Sequence, residues 1–132
     1  MHAPYDKRLG HPADFRVRYR FYSKGEGGRS DIPYQGYRSD FWYGHQDHKS
    51  NEIFMIWPEF EDSFGAVILE DNSSVAENGI ARMWVIVPQS RIYHKEKIKI
   101  GLIGYFMEGW RKVAECEVIE IVGLGTNPTQ SK

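Results

Sequence analysis

Three arginines at a spacing of two, Arg16, Arg18 and Arg20 in 15-FRVRYRF-21, form the strongest charge pattern in the sequence. On a strand, that period sends all three to one face, while Phe15, Val17, Tyr19 and Phe21 take the other. A row of this kind can track the phosphates of a nucleic acid, with an affinity that falls as salt rises. Lys95, Lys97 and Lys99 repeat the period further on, and on a neighbouring strand they would widen the row into a basic stripe. The plainer use of the same residues is an exposed sheet face blunted by charge and paired with nearby glutamates. Total charge does not choose between the two, because 17 Lys and Arg stand against 18 Asp and Glu, and a balanced sum can hide local patches.

Other reactive side chains lack the company that chemistry requires. The run 45-HQDH-48 offers two imidazoles and a carboxylate, but a spacing of three suits one face of a helix, and this run lies in the polar stretch GHQDHKSNE, which reads as a solvated loop rather than a metal site. Cys116 alternates with Ala114 and Val118 and reads as a small core residue, not a nucleophile. No Gly-x-Ser-x-Gly elbow is present. Glu59, Glu61 and Asp62 follow Trp57-Pro58, and nothing fixes their separation as an acid–base pair. His94 reads as a surface or turn residue. No Gly-Lys pair occurs anywhere, so a phosphate-wrapping loop of the nucleotide-hydrolase kind is excluded and no nucleotide is expected. The expectation is therefore no catalytic residue, no metal and no cofactor.

The elements that must position these residues are short and extended. Strands are expected over 15–21, 40–44, 53–57, 66–70, 80–87, 97–106 and 112–123, separated by stretches rich in turn formers such as EDNSSVAENG and QSRIYHKE. In the last strand Ala114, Cys116 and Val118 share one parity, while Ile119 and Ile121 take the other, which predicts a bulge near Val118 or Ile119. No apolar period of 3.6 is sustained over a helix length. Six or seven short strands without intervening helices predict an all-β fold, an antiparallel barrel or sandwich. At 132 residues the chain has the size of one domain, which buries on the order of two-thirds of its unfolded surface. Residues 1–14 and 125–132 lack any period and read as flexible segments flanking a single domain over 15–124. One cysteine in the whole chain rules out an internal disulfide and fits a reducing compartment. No stretch approaches the roughly 20 apolar residues of a membrane span, and residues 1–15 lack the apolar core of a signal peptide. The expectation is a soluble, cytoplasmic protein with no membrane partner.

The stretch 25-GEGGRSDIPYQGYRSDFWY-43 is richer in glycine, arginine and aromatics than a turn or a strand needs. Its run 26-EGGR-29, six residues, then 36-GYRSDFWY-43 resembles the start of the C-terminal β-barrel of elongation factor Tu and its archaeal and eukaryotic relatives. More weakly, 75-VAENGIARMWVIVPQS-90 is similar to a turn and apolar strand of that family, and 97–122 falls where its last hairpin lies. Departures are visible too. Ser39 stands where the family has proline, Pro33 comes one place later, and 101-GLIGYFMEGWRKVAE-115 replaces the family's second signature.

The resemblance implies an antiparallel six-stranded β-barrel acting as a stand-alone binding module without catalysis. Gly25, Gly27, Gly28 and Gly36 then serve as loop glycines with positive φ, Tyr37 packs around the loop, and Arg29 and Arg38 clamp it through carbonyls or carboxylates such as Asp31 and Asp40. The family likeness favours transfer RNA, another structured RNA or a translation-associated protein as the partner, through Arg16, Arg18, Arg20, Arg29, Arg38, Lys97 and Lys99. Two alternatives stay open. One is a protein interface built on exposed aromatics such as Trp42, Trp57, Trp84 or Trp110; the other is a small enzyme of unknown type.

Overall fold

A computed structural model describes residues 1–44 and 52–130. Among them, six strands form one antiparallel curled sheet, a half-barrel, in the order β2-β5-β6-β1-β4-β3. In chain order the strands are β1 (Phe15–Phe21), β2 (Asp40–Trp42), β3 (Ile56–Phe60), β4 (Asn78–Val85), β5 (Ile103–Glu108) and β6 (Arg111–Ile121), with two short helices, α1 (Tyr5–Leu9) and α2 (Arg91–Lys97). Strand β1 lies between β6 and β4 and pairs with both over nearly its whole length. Its alternation works as expected: Phe15, Val17, Tyr19 and Phe21 are all buried on the concave side. There they meet Phe41, Phe60, Met83, Phe106, Ala114, Cys116 and Val118 in one apolar core. The rings of Tyr19 and Phe60 cross edge to face with centroids 5.1 Å apart, a geometry that adds to their area burial.

The predicted bulge is present. Val17 pairs with Val118 while Arg16 pairs with Glu120, so Ile119 is the extra residue. Because a single inserted residue reverses the side-chain parity of the residues beyond it, Glu120 reaches the same convex face as Glu115 and Glu117.

Other expectations are corrected. Strand β3 runs through Pro58 to Phe60 rather than stopping at Trp57, as an edge strand permits because one side has no ladder that needs a donor. Residues 66–70 form no strand, only the isolated bridge Glu61–Val67. The expected strand 97–106 is instead the end of α2, a turn and the first part of β5. Arg91, His94 and Ile98 are the buried residues there, and their spacing of three and four is a helical face. Two of the three are polar types, so a reading confined to apolar residues passes over it.

Residues 1–14, read from sequence as a flexible segment, contain α1 and bury His2, Tyr5, Ala13 and Asp14. The two sheet edges approach each other at one point, where Phe41 and Phe54 exchange both backbone hydrogen bonds at 2.9 and 2.8 Å. At the other end of β3 the buried side chain of Gln35 acts as a substitute strand. Its Oε1 accepts from Phe60 N, and its Nε2 donates to the carbonyls of Phe60 and Ile68, each at 2.9 Å.

Candidate functional site

The convex face of the sheet carries the arginine row, and the register of β6 sets a glutamate beside each arginine. Arg18 pairs with Glu117, Arg20 with Glu115 and Arg16 with Glu120. Arg16 makes a two-pronged contact with Glu61 at 2.7 and 2.8 Å and reaches Glu120 at 3.0 Å, while Arg82 reaches Glu61 at 3.0 Å. Burial opposes ionisation of Glu61, but hydrogen bonds from Arg16 and Arg82 outweigh it and hold the carboxyl below the usual carboxylate range. Arg20 lies between Glu115 and Glu26, and its hydrogen bond, followed by those of Ser23, brings the Glu26 carboxyl down to about 2. Arg18 is the loosest of the three, 3.9 Å from Glu117 with its side chain 64% exposed. The row is thus a ladder of matched charges. The lysines do not extend it, because Lys97 ends α2 and Lys99 lies in the following turn. The Lys97 ammonium stands over the Tyr93 ring, and Lys99 donates to the Lys95 carbonyl.

The glycine-rich stretch 25–43 is bound up with holding the fold. Gly27 and Gly36 have φ of +91° and +94°, the left-handed region that glycine enters without strain. Gly25 and Gly28 do not, which corrects the expectation for them. Gly28 is small for another reason: a Cβ there would come within 2.2 Å of the Tyr22 carbonyl oxygen. Arg29 donates to the Asp31 carbonyl at 3.1 Å and stands over the Tyr37 ring at 5.1 Å. Arg29 and the Tyr37 hydroxyl both donate short hydrogen bonds to the Glu108 carboxylate, which also accepts from Arg111 at 2.8 Å. Burial opposes ionisation of Glu108, but its bonds from Tyr37, Arg29 and Arg111 prevail and lower its pKa. The Tyr37 hydroxyl is pushed up, chiefly by burial and then by Glu108. Arg38 does not clamp the loop through Asp40; its guanidinium lies over the Trp57 ring at 4.6 Å.

Glu108 is the last residue of β5, and Gly109-Trp110 make the two-residue turn into β6. Gly109, with φ of +59°, fills the first central position, as a type II′ turn requires. The clamp from Arg29 and Tyr37 therefore braces the hairpin whose tip displays Trp110, 65% exposed. The other tryptophans are committed elsewhere. Trp84 is buried and donates to Glu59 at 3.1 Å, which corrects its reading as an exposed aromatic. Trp57 is half-buried under Arg38, and Trp42 is half-buried near Tyr105 and Lys112.

The remaining reactive groups are structural in their contacts. Glu59 accepts from His2 at 2.6 Å and from the Tyr5 backbone at 2.9 Å in addition to Trp84. Cys116 is buried, and burial pushes its thiol up, away from the reactive thiolate. His94 is fully buried rather than a surface residue; its Nδ1 and the Tyr43 hydroxyl share a hydrogen bond of 2.7 Å, and burial pushes its pKa down to about 4. The run 45-HQDH-48 lies outside the described residues. Among the described residues no cluster of three or more His, Cys, Asp or Glu side chains is arranged to hold a metal, and no helix is long and apolar enough to cross a membrane.

Sequence reasoning missed Glu108, Gln35 and the buried pair Asp14–Arg91. Only the two-residue spacer between Glu108 and Arg111 hinted at a hairpin; Gln35 and Asp14 carry no local signal, since their partners lie far along the chain. Compared with protein-family models the chain matches none, and no curated protein matches it.

Proposed function

We propose that this chain is a non-catalytic binding module, a barrel akin to the C-terminal domain of elongation factor Tu, which takes a protein partner at the tip of the β5–β6 hairpin. Trp110 is the anchor. The observation that carries this reading is the contrast between Trp110, exposed on a hairpin braced through Glu108, and the β1 arginines, each already beside a glutamate. A tryptophan held out on a rigid turn loses little freedom on docking, and Trp and Arg dominate interface hot spots. Arg111 and Lys112 follow it, so the fitting partner offers an apolar pocket with an acidic rim. The curl of the sheet and the Phe41–Phe54 bridge support the barrel reading.

Structured RNA, transfer RNA included, is the second reading, and Arg18 favours it as the most exposed and least tightly paired arginine of the row. A photocrosslinking residue placed at position 112, with Trp110 kept, in one variant and at 18 in another separates the two in cells. Protein adducts of defined mass at 112, abolished by Trp110→Ala, support the protein interface. RNA adducts at 18 that fade as salt rises support the second reading instead. A clean tip overturns the first. With the partner in hand, Trp110→Ala is expected to weaken binding about thirtyfold or more while leaving the melting temperature unchanged.

A further inference from the structure

Between α1 and the segment leading into α2 lies a cleft of about 450 Å³, within the size range of small-molecule sites. Its cations are Lys7 and Arg8 from α1 and Arg91 at the start of α2, and His11 lies just beyond α1. No carboxylate lines it among the described residues. Arg91 is held rigidly at its base, 1% exposed, with Nε donating to Asp14 at 2.7 Å and Nη2 to the Val85 carbonyl at 3.0 Å. Nη1 donates one hydrogen to the Pro128 carbonyl, and its second hydrogen has no acceptor among the described residues. The His11 Nδ1 is 2.8 Å from the Pro12 carbonyl, and its Nε2 is 3.5 Å from Arg91 Nη2, too far for a good hydrogen bond. Lys7 and Arg8 are exposed and form no ion pair among the described residues; Arg8 stands over the Tyr5 ring at 5.6 Å. They close the last turn of a helix of five residues, whose dipole is too short to require two cations. Leu9, Ile86 and Pro88 supply apolar wall.

We propose that this cleft binds a small organic anion, a carboxylate or phosphate carried on a compact apolar body. The anionic head sits among Lys7, Arg8 and the Arg91 guanidinium, and the body rests on Leu9, Ile86 and Pro88. Asp14 neutralises Arg91 from behind, so the attraction comes from Lys7 and Arg8, with Arg91 giving direction through a fixed donor. The site is separate from the hairpin tip and stands or falls without it.

The test is an amide-resolved NMR titration of the full chain with phenyl phosphate and with benzoate, beside inorganic phosphate and benzyl alcohol. Saturable shifts confined to residues 7–11 and 85–91, from either aromatic anion and at least tenfold weaker with inorganic phosphate, are expected. Whichever aromatic anion binds more tightly identifies the head group. The double variant Lys7→Gln, Arg8→Gln is expected to lose at least tenfold in affinity with an unchanged melting temperature. Absence of saturable shifts, an equal response to benzyl alcohol, equal affinity for inorganic phosphate and phenyl phosphate, or undiminished affinity in the double variant would each overturn the proposal.

Discussion

Two regions of this molecule are rich in cations, the convex face of β1 and the cleft beside α1, and they treat those cations in opposite ways. On the sheet, Arg16, Arg18 and Arg20 each meet a glutamate from β6. In the cleft, Lys7 and Arg8 line a concavity that no carboxylate of the described residues enters. The more conspicuous pattern in the sequence is the one the fold neutralises. Cross-strand register, which a linear reading does not contain, decides whether a period-two row of arginines is a field or a set of matched pairs. The cations that stay available for a ligand belong to the less regular cluster, contributed by two separate segments of the chain.

Graded disruption sharpens this contrast, because the same kind of ion pair should weigh differently with depth. The largest effect is expected for Asp14→Ala at the base of the cleft. It strands the buried Arg91 guanidinium and removes the acceptor of the Val85 N–H and one acceptor of the Asn127 amide, and breaking a buried pair from one side costs about 3–5 kcal/mol. Urea denaturation measures it.

Next comes acid. His94 titrates at about 4 in the folded protein against 6.5 for the ordinary group. Between those values the unfolded chain binds the proton and the folded one does not. The contribution is therefore fully present above pH 6.5 and is lost as pH falls towards 4. It amounts to at most about 3 kcal/mol, since each tenfold difference in proton affinity is worth about 1.36 kcal/mol. His94→Gln should flatten that part of the stability profile, and the difference between the two profiles separates it from the carboxylates that titrate in the same window.

On the sheet face, Glu61→Gln leaves Arg16 and Arg82 without their shared buried carboxylate and should cost about 1–3 kcal/mol. Arg18→Gln, at the exposed and loosely paired end of the same ladder, should fall within about 0.5 kcal/mol of wild type. A loss of several kcal/mol at Arg18 would break the comparison.

Legibility followed the range over which each signal acts. Strand β1 and the Ile119 bulge were readable because alternation and its interruption are local facts of the chain. Helix α2 was not, because Arg91 and His94 occupy its inner face, buried through partners that lie 77 and 51 residues away. The glycine-rich stretch was legible as scaffold, yet the hairpin it braces was not. Arg29 and Tyr37 converge on Glu108 across 79 and 71 residues, and only the fold brings that carboxylate to them. In the same way, nothing in HAPYDKRLGHP shows that α1 will face the start of α2.

The amide of Gln35 has one further consequence. Strand β3 ends the sheet, and an uncovered edge offers its donors and acceptors to the strand of any second molecule. Gln35 caps that edge with a side chain, which satisfies Phe60 and Ile68 without presenting a new row of backbone groups to copy. Replacing it with alanine would free a donor at Phe60 and an acceptor at Ile68, leaving a landing place for templated self-association. The amide is thus a guard on the sheet edge, working beside the Ile68 N–H that also covers the Phe60 carbonyl.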